Sequence, residues 1–103
     1  MKVRMERFEE AVRAAVDAIP AEFQPYLDDI EFVVARRSAK GLLGMYEGSG
    51  ALGAGDFPAR VTIFKEAHED VCDSWDGLVA EVRRTILHEV GHHFEMDEDD
   101  LPY

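Results

Sequence analysis

The sequence lacks three features that define whole classes of protein. It has one cysteine, Cys72, so it cannot form an internal disulfide bond. It has no apolar run approaching the roughly 18–20 residues that a membrane-spanning helix needs. Glu6, Glu9 and Glu10 occupy the N-terminal stretch where a secretory signal would need an apolar segment. We therefore expect a soluble protein of the cytoplasm.

Positive charge is also scarce. The chain has 11 Lys and Arg residues against 22 Asp and Glu residues, which gives a formal net charge of −11 at pH 7. Because phosphate groups would be repelled, neither a nucleic acid nor an anionic membrane is expected as a partner. Hydrophobic residues make up 47% of the chain, as in ordinary globular proteins. A chain of 103 residues leaves room for one domain, so we expect residues 1–103 to fold as a single unit.

Two segments have the periodicity of amphipathic helices. Apolar residues recur about every 3.6 positions over residues 8–19, and Pro20 should end that helix. Asp73 or Ser74 is expected to cap a long helix that runs from about Trp75 into the mid-nineties. The predicted core stripe of this long helix consists of Val79, Val82, Ile86 and Val90, flanked by Leu78, Trp75 and Phe94.

Three segments are predicted to be strands. IEFVVA, at Ile30–Ala35, is β-branched and aromatic, which is typical of a buried strand. Residues 42–47 could form a short strand before a glycine-rich loop. RVTIFK, at Arg60–Lys65, has two alternating faces, and the preceding Pro58 favours a position at the edge of the sheet.

The long helix carries the HExxH pattern at His88-Glu89-Val90-Gly91-His92. Residues four apart lie one turn apart on the same helix face, so both imidazoles can reach one ion. Zinc binds such nitrogens, and a catalytic site needs a third protein ligand and an open position. Glu89 lies about 100° around the helix from His88, where it is suited to act as a general base on an activated water. The pattern predicts one zinc ion held by His88 and His92.

A carboxylate beyond the helix is the expected third ligand. Acidic residues crowd the helix C-terminus, where the helix dipole is negative, and either a nearby dication or full solvation would relieve the repulsion. If the helix ends near Glu95 and the chain turns back, Glu98 or Asp97 can approach the metal, with Glu98 slightly favoured. Solvent exposure of both carboxylates is the alternative.

Two other site hypotheses compete with this one. The GxGxxG pattern at residues 48–53 matches the dinucleotide fingerprint, but no βαβ unit fits around it, so a flexible loop is expected instead. His93 lies near the core stripe and is expected to be buried or to support a ligand rather than to bind metal. The second alternative is a closed, structural zinc site with four protein ligands, which would be His68, Cys72, His88 and His92.

The run TILHEVGHHFEMDE, at Thr85–Glu98, resembles the minimal zincin family of small bacterial metallopeptidase-like proteins. The similarity extends to the leading helix that ends in proline, the LLGMYEG segment and the RVTIF strand. It implies an α+β, zincin-like fold with an N-terminal helix, a small mixed sheet and a long C-terminal active-site helix. In the related metzincin signature the third ligand lies ten residues after the first histidine, which is Glu98 here. The glycine of that signature is replaced by Glu95.

The resemblance also implies a zinc site and hydrolysis of a peptide or protein substrate, with Glu89 as the general base. Tyr46, Tyr103 and His93 are open candidates for stabilising the oxyanion. Zincins commonly align the substrate along a sheet edge. The expected edge here consists of Val61, Thr62, Ile63 and Phe64. The alternatives are a non-catalytic interaction module stabilised by zinc and a zinc hydrolase of a non-peptide substrate.

Overall fold

A computed structural model of the chain describes residues 1–48 and 59–93. The α-helices are α1 (Met5–Asp17), α2 (Lys65–Val71) and α3 (Trp75–His93), and the strands are β1 (Ile30–Ala35), β2 (Gly44–Glu47) and β3 (Ala59–Phe64). A 3-10 helix at Ala21–Leu27, with Pro25 inside it, connects α1 to β1. None of the helices in this part of the chain has an apolar stretch of the length that a membrane-spanning helix needs. The predicted α+β class is confirmed: an N-terminal helix, a three-stranded mixed sheet and a long helix packed on the sheet.

Helix α1 buries one apolar face. Phe8, Ala11, Val12 and Ala15 are buried, and their spacing of three and four residues places them on one side of the helix. This face belongs to the same hydrophobic core as the apolar stripe of α3, and the two helices pack against each other. The helix ends at Asp17, three residues before Pro20, as the sequence predicted.

The strand order is β1–β3–β2, so β3 is the central strand of the described sheet. β1 pairs with β3 in parallel, with Ile30 opposite Ala59, and β2 pairs with β3 antiparallel, with Tyr46 opposite Val61. The prediction that Val61, Thr62, Ile63 and Phe64 form a sheet edge is therefore wrong. All four residues are buried, because strands flank β3 on both sides and α3 packs against it.

The two outer strands correct a second expectation. β1 was predicted to be buried, but only Ile30 is buried, and the other five residues are half-buried or exposed. The physical reason is its position, because in the described sheet β1 pairs on one side only. The short strand expected within residues 42–47 is confirmed as β2, the other outer strand.

Helix α2 was not predicted. It follows β3 without a break, and its buried residues, His68 and Glu69, are polar rather than apolar. Lys65 bonds to Glu69 across one turn, with Nζ 3.0 Å from Oε2. A helix of seven residues whose buried face is polar carries no apolar period for a sequence pattern to detect.

Helix α3 begins where the sequence predicted, and Ser74 is the capping residue. The Gly77 amide donates to Ser74 Oγ at 3.1 Å, which satisfies one of the unpaired amides of the first turn. Leu78, Val82, Ile86 and Val90 are buried, and Val79 is half-buried. The helix packs against α1, β2 and β3, so its apolar stripe fixes which of its polar side chains lie beside the sheet.

Candidate metal centre

The two histidines of the HExxH pattern lie side by side on α3. Their ring centroids are 5.1 Å apart and the ring planes meet at 80°. Both residues are half-buried. Two imidazoles that bind one tetrahedral zinc ion through nitrogens at about 2.0–2.1 Å have ring centroids about 5 Å apart. The spacing of His88 and His92 therefore fits a shared ion.

The residues predicted to supply the third ligand fall outside the described part of the chain. Glu98 and Asp97, the carboxylates expected to complete the site, both follow residue 93, as does Tyr103. Within residues 1–48 and 59–93 no three histidine, cysteine, aspartate or glutamate side chains are grouped so that they could hold a metal ion. The described part of the chain thus supplies two nitrogen donors, and a complete zinc site requires at least one more.

Glu89 lies beside a groove between α3 and the start of β2. The groove has a volume of about 700 Å³. It is lined by Leu42, Leu43, Gly44, Glu81, Arg84, Thr85, His88 and Glu89. Leu42 is one of the few large apolar side chains exposed to solvent in the described part of the chain. One metal-ligand candidate and the candidate general base therefore share one accessible surface with apolar residues of the adjoining loop.

Strand β2 approaches α3 closely because Gly44 has no side chain. A Cβ atom at Gly44 would lie 2.5 Å from Thr85 Cγ2 and 3.2 Å from Glu89 Cγ. Nonbonded carbon atoms do not come as close as 2.5 Å. Only glycine therefore fits at position 44 without movement of the strand or the helix. The strand that lies alongside Glu89 is thus β2 and not β3, which was the strand expected to present the substrate.

The comparisons with known proteins agree with this geometry. A family model described as zincin-like metallopeptidase matches residues 11–103. The chain belongs to the zincin-like metallopeptidase family. The match begins within α1 and includes the HExxH pattern, which confirms the resemblance inferred from the sequence.

A solved structure is similar to this zincin-like chain over nearly its whole length. It is a conserved hypothetical protein from Thermus thermophilus, 26% identical, with a TM-score of 0.60. The similarity covers 89% of this chain and 94% of that chain. The comparison with curated proteins gives no match. The shared arrangement therefore supports the fold.

His68 lies in the core of the zincin-like chain rather than at a metal site. It is fully buried, with Nδ1 2.7 Å from the Phe64 carbonyl oxygen and Nε2 2.8 Å from Thr85 Oγ1. Because a carbonyl only accepts, Nδ1 carries the proton. Burial lowers the pKa of His68 below 6.5, and the bond to Phe64 opposes this only in part, so the ring is neutral. The Thr85 hydroxyl, which Nε2 contacts, also lies 3.1 Å from the Glu81 carbonyl oxygen.

The closed four-ligand site is excluded by the same contacts. Both nitrogens of His68 are engaged, and Cys72 Sγ lies 3.7 Å from the Gly77 carbonyl oxygen. Burial and the charge of Glu81 raise the pKa of the Cys72 thiol above 9.0, which disfavours the thiolate that zinc requires. All four proposed ligands are described, and they do not form a metal-binding group. Sequence spacing suggested this site, but α2 turns His68 into the core.

His93 is buried, as the sequence predicted. Its Nε2 lies 3.1 Å from Asp29 Oδ2, and its Nδ1 lies 3.0 Å from the Tyr46 hydroxyl. Asp29 directly precedes β1 and Tyr46 lies on β2, so sequence separation hid both partners. Two of the three candidates for oxyanion stabilisation, Tyr46 and His93, are thus bonded to each other. The GxGxxG segment falls almost entirely outside the described residues.

Proposed function

We propose that this chain is a zinc-dependent metallopeptidase in which His88 and His92 hold the metal and Glu89 is the general base. The observation that carries the proposal is the 5.1 Å separation of the two imidazole rings on α3. Glu89, on the same turn as His88, lines the adjacent groove. Membership of the zincin-like metallopeptidase family supports the same assignment. Glu98, or Asp97 in its place, is the proposed third ligand.

Bound zinc would polarise the scissile carbonyl and acidify the attacking water. The other steps belong to Glu89. Its carboxylate accepts the proton that the water loses as its oxygen attacks the carbonyl carbon. It then donates that proton to the amide nitrogen, which leaves as an amine when the carbon–nitrogen bond breaks. Because Glu89 is half-buried and β2 lies against it through Gly44, its carboxylate is held close to the groove.

The substrate is proposed to bind along β2. In the described sheet β2 is an outer strand, and zincins commonly align a substrate along an outer strand of the sheet. Gly44 and Tyr46 are half-buried, whereas Met45 and Glu47 are exposed. A peptide added to this edge would run past the groove that contains Glu89. This strand replaces β3 as the proposed substrate-binding edge.

The proposal is tested by comparing zinc content with peptide cleavage. Purified protein is expected to contain one zinc per chain by elemental analysis, and His88→Gln and His92→Gln are expected to lose it. Glu89→Gln should retain zinc and lose cleavage of a quenched peptide library by a factor of at least about 100. Glu22→Gln makes the same acid-to-amide change at an exposed position in the 3-10 helix and serves as the control.

Three results would contradict the proposal. Wild-type protein that binds zinc but cleaves no peptide would be a zinc-stabilised interaction module. A Glu89→Gln variant as active as wild type would remove the proposed general base. Cleavage of a non-peptide substrate alone, with the same dependence on Glu89, would identify a different hydrolase.

A further inference from the structure

One polar network, centred on a buried imidazole, lies beside the proposed metal ligands and takes no part in the proton transfers assigned to Glu89. It consists of Asp29, His93 and Tyr46, which we call the Asp29–His93–Tyr46 relay. His93 follows His92 in the chain and is 2% exposed. It contacts Asp29 through Nε2 at 3.1 Å and Tyr46 through Nδ1 at 3.0 Å, and its ring meets the Tyr46 ring edge-on at 5.8 Å.

The chemistry of the partners fixes the direction of the two hydrogen bonds. An ionised carboxylate only accepts, so Nε2 of His93 carries the proton that it donates to Asp29. In the neutral ring Nδ1 is then an acceptor, and the Tyr46 hydroxyl donates to it. The relay thus runs from a tyrosine on β2, through a buried imidazole on α3, to a carboxylate that is 64% exposed.

The relay connects the end of α3 to both outer strands. Asp29 directly precedes β1, and Tyr46 lies on β2 on the other side of the central strand. His93 therefore ties the last described turn of α3 to two segments that are separated by the width of the sheet. His92 lies in that same turn, so any rotation of the turn that displaces the His92 ring would also break one or both hydrogen bonds.

A phenylalanine at position 93 would bury similar area without needing partners. A buried imidazole is favourable only when its nitrogens are bonded, and a fully bonded buried network holds its members in one arrangement. Residues that hold a metal-binding side chain in its orientation contribute to metal affinity without touching the ion. The relay would act on His92 through the backbone of the helical turn that His92 and His93 share.

We infer that the Asp29–His93–Tyr46 relay positions His92 for metal binding. The inference rests on the proposed function, because it assumes that His88 and His92 share a zinc ion. His93 and its partners act here through the orientation of the last turn and are positioning residues. The consequence is that the affinity for zinc depends on a tyrosine hydroxyl and on a surface carboxylate, neither of which is a proposed ligand.

The test measures zinc affinity by competition with a chromophoric chelator, in protein as purified and then stripped of metal. Tyr46→Phe removes only the hydroxyl and is expected to weaken binding about tenfold. Asp29→Ala is expected to have a similar effect, whereas Asp29→Asn should bind within about twofold of wild type because its amide oxygen still accepts from Nε2. Asp29→Ala and Asp29→Asn remove the same charge, so their difference isolates the hydrogen bond.

Two further measurements separate positioning from general stability. Asp28→Ala removes a carboxylate from the exposed neighbouring residue and should bind zinc as wild type does. Cobalt substituted for zinc should give visible absorption bands that differ between wild type and Tyr46→Phe, because these bands report ligand geometry. All affinities and spectra are compared well below the unfolding temperature of each variant, where a purely structural role would leave them unchanged.

The outcomes distinguish the inference from the proposed function. Equal zinc affinities and equal cobalt spectra in wild type, Tyr46→Phe and Asp29→Ala would reject the relay alone. Equal losses in Asp29→Asn and Asp29→Ala would also reject it, because charge and not the bond would be responsible. Failure of the wild-type protein to bind zinc would reject the proposed function and the inference together. If Tyr46→Phe does not fold, the Asp29 pair decides the question at a largely exposed position.

Discussion

Replacing Gly44 by alanine tests the close contact between β2 and α3. The new Cβ would lie 2.5 Å from Thr85 Cγ2, 3.2 Å from Glu89 Cγ and 3.3 Å from the Thr62 carbonyl oxygen. Since carbon atoms pack best at about 3.5–4.0 Å, the strand or the helix must move by about 1 Å. Overpacking of this kind costs about 1–3 kcal/mol, and the lower entropy of the unfolded alanine chain offsets about 0.4–1 kcal/mol of it. We expect Gly44→Ala to lower the free energy of unfolding by about 1–2 kcal/mol.

A second substitution, at Thr85, tests whether Thr85 Cγ2 is the atom that the alanine Cβ displaces. Thr85→Ser removes Cγ2 and keeps the hydroxyl that bonds to His68, at a cost of about 1 kcal/mol for the lost buried methyl group. In the double variant the alanine methyl occupies the space that Cγ2 leaves. The combined destabilisation should therefore be smaller than the sum of the single effects by about 1 kcal/mol or more.

The assay is urea unfolding monitored by circular dichroism, for the wild type, Gly44→Ala, Thr85→Ser and the double variant. Gly41→Ala is the matched control, because a Cβ there meets nothing within 4 Å. Its backbone φ of +69° makes alanine unfavourable by about 1–2 kcal/mol for a local reason. Gly41→Ala should therefore add to Thr85→Ser without coupling. Strict additivity of Gly44→Ala and Thr85→Ser would refute the proposed contact between strand and helix.

Three further predictions concern His68, Glu69 and Cys72, which are not ligands in the proposed zinc site. Burial holds the pKa of His68 in the folded chain below 6.5. As the pH falls, the unfolded chain therefore protonates this histidine before the folded chain does. The free energy of unfolding should then decrease as the pH drops below about 6.5. His68→Gln should flatten this part of a pH series of urea titrations; an unchanged slope would contradict it. Burial opposes ionisation of Glu69, but the Val3 amide and the Lys65 ammonium outweigh it and hold its pKa below 4.5. That contribution should be lost only below about pH 4.5, and Glu69→Gln should remove it. Cys72→Ser should leave zinc content by elemental analysis unchanged, and release of the metal would restore the four-ligand hypothesis.

Much of the fold follows from local patterns. The 3.6-residue periods of α1 and α3 and the β-branched composition of β1 depend only on neighbouring residues, so their positions were predictable. The same holds for the two imidazoles, because a spacing of four residues on a helix brings them together whatever the rest of the chain does. α2 was missed because its buried residues, His68 and Glu69, interrupt the apolar period that marks a helix.

The order of the strands was decided only in three dimensions. Pro58 favoured an edge position for β3. The strand instead pairs on both sides, because the path of the chain after β1 and the packing of α3 place it between β1 and β2. As a result β2, which is short and begins with Gly44, lies beside Glu89. No local pattern in residues 42–47 shows which helix they will meet.

Local spacing along the chain is enough to place two imidazoles and a carboxylate together on α3, because the backbone hydrogen bonds of a helix fix how residues four apart are arranged. The groups that surround these side chains depend on long-range contacts. His93 and Asp29 are 64 residues apart in the chain, and His93 and Tyr46 are 47 apart. Such partners are brought together by the burial of the whole core, and burial is a property of the folded chain and not of any segment within it.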